Sequence, residues 1–175
     1  MALTFVLGGA RSGKSALAVR LASTFESPVV LVATAEARDD EMTERIRRHQ
    51  EARPSDWETV EAPVELAGAI DSLGDNVAVV LDCLTLWVSN AIEARRVDTA
   101  IVAEAKDVAH TLAARSEHAV VVSNEVGLGI VPTNALARRY RDVLGEVNAV
   151  FARIADRSYL MVAGRAVALG SPEPA

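Results

Sequence analysis

The chain has 175 residues and a formal net charge of −6, a length that fits one domain with its own core and an acidity that argues against a nucleic-acid partner. Half of the residues are hydrophobic but only 4% are aromatic, so the interior must be built from Ala, Val, Leu and Ile, as in a mostly parallel sheet covered by helices on both faces. No apolar stretch reaches the length of a membrane segment and no charged leader with a cleavage site precedes the first strand, so the chain is expected in the cytoplasm.

The apolar run Leu3–Leu7 predicts the first strand. Directly after it, Gly8-Gly9-Ala10-Arg11-Ser12-Gly13-Lys14-Ser15 matches the phosphate-binding pattern G-x-x-x-x-G-K-[ST]. Glycines at 8, 9 and 13 let backbone N–H groups turn toward phosphates, Lys14 supplies a charge near the β and γ groups, and the Ser15 hydroxyl suits Mg2+. A helix predicted over Lys14–Thr24, with Leu17 and Leu21 on one face, completes the strand–loop–helix setting such a loop needs. The ligand class is a nucleoside triphosphate with magnesium.

A second strand is predicted at Val29–Ala33 and a helix from Asp40 to about Glu51. That helix has Asp40 and Glu41 in its first turn and Arg47, Arg48 and His49 near its end, matching the helix dipole. Met42, Ile46 and His49 fall on one stripe, expected to pack on the protein. A neutral imidazole there has the chemistry to attack an α-phosphorus. A structural histidine is the competing reading.

Residues 52–63 form the least regular segment, with Trp57–Val60 as a short strand. A helix follows over Val64–Leu73, then a strand over Val77–Leu81 that ends in Asp82, a carboxylate presented toward loop-bound magnesium or capping a helix. Leu84–Val88 reads as buried core, and Cys83 as a small buried hydrophobe. A helix over Asp98–Ala114, a strand over Ala119–Val122, a polar loop with Asn124, Glu125, Gly127 and Gly129, a helix over Asn134–Ala155 and a strand over Tyr159–Val162 complete the alternation. Pro28, Pro54, Pro63 and Pro132 fall between elements. A loose tail is expected from about residue 170, marked by Pro172 and Pro174. The reading is a single α/β domain of the P-loop NTPase, RecA-like type, with one edge collecting the loop and Asp82.

Taken together these segments resemble the bifunctional adenosylcobinamide kinase and adenosylcobinamide-phosphate guanylyltransferase family of cobalamin biosynthesis. The resemblance rests on residues 8–15, Ala33-Thr34-Ala35, Asp39-Asp40-Glu41-Met42 with Arg45, Ile46 and His49, Arg53-Pro54 with Trp57, Glu61, Leu81-Asp82-Cys83-Leu84-Thr85, residues 124–132, Asn134, residues 136–138, Arg141-Asp142 and Val147-Asn148. It implies phosphorylation of adenosylcobinamide by ATP or GTP, then transfer of GMP from GTP to adenosylcobinamide phosphate through a guanylylated histidine. By position that histidine is His49, with Lys14 as the other catalytic group. The implied nucleotide site is Gly8, Gly9, Ala10, Arg11, Ser12, Gly13, Lys14, Ser15, Ala33, Thr34, Ala35, Gln50, Glu51, Ala52, Arg53, Glu61 and Asp82, with Ser15 and Asp82 toward Mg2+. The resemblance also implies a homotrimer. Two departures are visible: Arg48 stands where some relatives carry a second histidine, and Asp82 where some carry glutamate.

A P-loop kinase of another small molecule, without transferase activity, shares the first motif. So does a nucleotide-dependent switch or assembly ATPase acting through a protein partner.

Overall fold

The computed structural model describes residues 2–170; the expected loose tail lies outside them. Thirteen elements follow in order: β1 (Leu3–Gly8), α1 (Lys14–Ala22), β2 (Val29–Ala33), α2 (Asp40–Glu51), β3 (Glu58–Glu61), α3 (Leu66–Asp71), β4 (Ala78–Asp82), α4 (Leu84–Glu93), α5 (Asp98–Ala114), β5 (Ala119–Asn124), α6 (Ala135–Ile154), β6 (Arg157–Val162) and β7 (Arg165–Leu169). The strands form one sheet in the order β3-β2-β4-β5-β1-β6-β7, parallel throughout except for the β6–β7 hairpin. No helix among the described residues is long and apolar enough to cross a membrane.

Alternation along β1 decides which helix covers which face. Leu3, Phe5 and Leu7 point into a large core shared with α3, α4, α5 and α6, where Phe5 stacks on Phe151 at 5.9 Å between ring centres. Val6 joins Val80, Val120 and Val122 on the opposite face, under Ala18 and Ala22 of α1. Covering both faces is why the central strands read as unbroken Val-Leu-Ala runs. Phe151 is fully buried and anchors α6 against β1. Phe151→Ala should cost roughly 3–5 kcal/mol of stability, read as a lowered urea midpoint with an unchanged slope.

Two elements were not expected. Leu84–Val88 begins α4, seven of whose ten residues are buried; a short segment apolar on every side carries no period to separate helix from core strand. Trp87 is fully buried there, and its indole N–H donates to the Val64 carbonyl at 2.9 Å. The second is β7, exposed along its whole length as the sheet's edge. It turns back from β6 through Ala163 and Gly164, both at positive φ (49° and 79°), as a two-residue hairpin loop requires. Alanine at the first of these positions hides the turn from the usual Asn-Gly or Asp-Gly signal.

Candidate functional site

The parallel strands bring their carboxyl ends to one edge. Register pairs Gly8 with Asn124, Ala33 with Asp82 and Ala33 with Glu61, so the phosphate loop, the β2 end, Asp82 and Glu61 share that edge. One strand, β5, separates the loop's strand from that of Asp82.

The loop is closed from below. A side chain on Gly8 would meet the Met161 carbonyl at 2.6 Å, so only glycine lets the backbone pass β6 there. Gly13 precedes α1 at φ 98°, a conformation that L side chains rarely adopt. Lys14 is buried and its Nζ donates to the Gly9 carbonyl at 2.6 Å, holding the ammonium inside the loop. Burial lowers its pKa and Arg45 acts in the same direction, while Cys83 and Asp82 oppose the shift. Ser15 opens α1 and is half-buried, and the buried Ser12 Oγ finds no hydrogen-bond partner among the described residues. The Gly164 N–H donates to the Ser12 carbonyl at 3.0 Å, so the β6–β7 turn braces the loop from a distant part of the chain.

Above this edge lies α2. Asp39 caps it by accepting from the Met42 N–H at 2.7 Å, and Arg38, just before the cap, reaches Glu36, Glu93 and Asn90. None of its residues is fully buried. The expected packing stripe is therefore only partly covered: Met42 and Ile46 are half-buried, and the His49 side chain is 48% exposed. Near the C-terminal end of the helix, His49 meets the end of β4. His49 Nδ1 lies 3.7 Å from Asp82 Oδ2. Arg53, half-buried after the helix, donates to Thr59 Oγ1 at 2.9 Å and feels the Asp82 charge, while burial lowers its pKa. Arg47 and Arg48 instead pair with Glu44, and Arg47 also with Glu51. Gln50 and Ala52 are exposed, as are Gly9, Ala10, Arg11 and Glu61.

Thr34 is fully buried, between half-buried Ala33 and Ala35. Its hydroxyl donates to the Cys83 carbonyl at 2.7 Å and accepts from the Cys83 N–H at 2.9 Å, while Asn90 Nδ2 donates to its carbonyl. The side chain thus locks the β2 and β4 ends together beside Asp82. Beyond β5, the Asn124 N–H donates to Thr85 Oγ1 and the Glu125 N–H to the Gly8 carbonyl, tying that loop to the edge. The Glu125 carboxylate accepts from the Gly127 N–H.

Burial pushes the Cys83 thiol up to about 11, with Asp82 adding to the shift, and Tyr140 up to about 12. Folding then favours the protonated thiol and phenol. That contribution to stability is complete at neutral pH and is lost as pH rises from about 9, the ordinary thiol value, through about 11 and 12. Urea midpoints should fall steadily across that alkaline window. Cys83→Ala should lessen the fall in its lower part, and an unchanged curve would count against the thiol's share.

Among the described residues no group of three or more His, Cys, Asp or Glu is arranged to hold a metal ion. The Ser15 hydroxyl in the loop and the Asp82 carboxylate at the end of β4 are hard-oxygen groups of the kind that suit a magnesium arriving with phosphates, not an all-protein cage.

A family model described as cobinamide kinase / cobinamide phosphate guanyltransferase matches residues 4–169. The chain is 40% identical over 163 residues to the bifunctional adenosylcobalamin biosynthesis protein CobP of Pseudomonas aeruginosa, covering 91% of this chain and 92% of that protein. It is 37% identical to the CobU protein of Escherichia coli K12 and 39% identical to that of Salmonella typhimurium, in each case over 93% of this chain and 96% of the relative. In architecture it is similar to the type III secretion ATPase EscN of enteropathogenic E. coli, with a TM-score of 0.63 at 11% identity, over 93% of this chain and 43% of that one. This last likeness concerns the fold alone.

Proposed function

Since this chain belongs to the cobinamide kinase / cobinamide phosphate guanyltransferase family, we propose that its sheet edge carries out two transfers in succession. The first moves a γ-phosphoryl group from ATP or GTP to the hydroxyl of adenosylcobinamide. In the second, GMP passes from GTP to the new phosphate through His49. The observation that carries the reading is the meeting of an imidazole with the phosphate-loop edge: His49 stands 3.7 Å from Asp82, whose charge also acts on the buried Lys14.

Backbone N–H groups of residues 8–15 and the start of α1 receive the triphosphate, and Lys14 neutralises its charge. Ser15 and Asp82 would hold magnesium, which would supply charge neutralisation on the phosphate oxygens. Arg45 and Arg53 add positive charge beside the loop, and Ala33, Thr34, Ala35, Glu61 and residues 50–53 frame the rest of the nucleotide. His49 forms a bond to the α-phosphorus as the bond to pyrophosphate breaks. The substrate's phosphate oxygen then attacks the same phosphorus and returns the electron pair to the imidazole.

The loop after β5 exposes Leu128, Ile130 and Val131, and α6 exposes Leu136, an apolar surface that suits the corrinoid. Exposed Val162, Val167 and Leu169 on the outer hairpin support self-association as the homotrimer the family resemblance implies. Supply of both nucleotides fits a cytoplasmic reaction.

Incubation of the protein with cobinamide, magnesium and γ-labelled nucleotide should label the corrinoid, and addition of GTP should convert that product to cobinamide-GDP without any other protein. Labelled corrinoid that GTP does not convert would mark a kinase lacking the transferase. Release of inorganic phosphate without transfer would favour a switch or assembly ATPase.

A further inference from the structure

Asp82, the carboxylate proposed to hold magnesium, also faces a nitrogen of an imidazole. Oδ2 of Asp82 faces Nδ1 of His49 at 3.7 Å, within ion-pair range and about 0.8 Å longer than a hydrogen bond. The Asp82 side chain is only 20% exposed, and the backbone next to it is fixed by the Thr34 hydroxyl, which bonds both the N–H and the carbonyl of Cys83. The imidazole is on a helix with no fully buried residue. A fixed carboxylate therefore confronts a movable ring, and the carboxylate can set the ring's orientation.

Resting on the two-transfer reading, we propose that Asp82 is the positioning residue for His49: it accepts a hydrogen bond from Nδ1–H and so leaves Nε2 as the nucleophile. A neutral imidazole holds one proton, and its location is decided by the partner of the other nitrogen. With the proton on Nδ1, the Nε2 lone pair forms the N–P bond while the bond from phosphorus to pyrophosphate breaks and pyrophosphate leaves with the electron pair. The ring becomes an N-phosphorylated imidazolium that keeps its Nδ1 proton against the Asp82 carboxylate. When the substrate's phosphate attacks, the N–P pair returns to Nε2 and the Nδ1 proton has not moved.

The fold supplies an internal reference. His118 Nδ1 accepts from the Ala2 N–H at 3.2 Å, which places the His118 proton on Nε2, the opposite tautomer. His110 is exposed on α5 and reports the unconstrained mixture.

The test is the 15N spectrum of histidine-labelled protein, free of metal and nucleotide, at pH about 9 where an ordinary imidazole is neutral, with His49 assigned by His49→Gln. Wild-type His49 should carry its proton on Nδ1, opposite to His118. In Asp82→Ala it should relax to the His110 pattern while His118 stays unchanged. Asp82→Asn, which keeps the shape but can donate to Nδ1, provides the second variant. Wild-type His49 with its proton on Nε2, or a His49 signal identical in wild type and both variants, overturns the proposal. A second readout is the adduct itself: N–P coupling should locate GMP on Nε2 in the wild type, and its formation should slow by roughly a hundredfold in Asp82→Ala at saturating GTP. Failure of the wild type to form any adduct would sink the transfer reading and leave the tautomer result standing on its own.

Discussion

An enzyme carrying His49→Ala will phosphorylate cobinamide but form no covalent GMP adduct, and its guanylyl transfer will fall by about 10³-fold or more. The separation follows from which phosphorus is attacked. Transfer of the γ group needs the hydroxyl of the acceptor, the phosphate loop and Lys14, none of which depends on an imidazole. Transfer of GMP by two displacements needs a nucleophile that later leaves, and His49 is the one histidine brought to the Asp82 end of the sheet. Loss of folding is not an expected complication, because the His49 side chain is about half exposed and α2 buries no residue completely. The check is a pair of assays on one preparation, one following γ-label into cobinamide and one following α-label into protein and product. Equal loss of both activities in a folded variant that still binds GTP would show that the division of labour is wrong.

Lys14→Ala has the opposite signature, with both activities falling together by about 10²- to 10³-fold. The ammonium is buried within the loop and bonded to the Gly9 carbonyl, so removing it takes away the charge nearest the phosphates and frees the loop backbone it holds. Lys14→Arg should not restore activity, since a planar fork does not fit where a point charge on a straight stem is enclosed. The measurement is kcat and KM for each nucleotide in each step. A variant that lost only one of the two reactions would mean that the two transfers use different triphosphate sites.

How much of this was legible from residues alone differs from part to part. The phosphate loop, the strand before it and the carboxylate ending β4 are local patterns, and their placement on one edge follows from a parallel sheet. The acids and cations of α2 announced the helix and put His49 near its end. Sequence did not reveal that this helix would leave its stripe half-covered, because periodicity reports that a face is apolar and not what covers it. Thr34 shows a related limit. Its place in the family's nucleotide segment drew attention to the residue, while its contacts with the Cys83 backbone depend on the β2–β4 register. The brace that Gly164 gives the phosphate loop was missed for a third reason, an Ala-Gly turn that lacks the usual hairpin residues and closes on a loop at the other end of the chain.

In the proposed transfer the imidazole of α2 takes GMP from a triphosphate held by residues 8–15. Incubation with α-labelled GTP and magnesium, followed by intact-mass measurement and peptide mapping, addresses it most directly. One acid-labile GMP per chain is expected, on the peptide containing His49, present in wild type and absent from His49→Ala. A wild type that turns over cobinamide phosphate with no adduct, or an adduct that maps elsewhere and survives in His49→Ala, would contradict it.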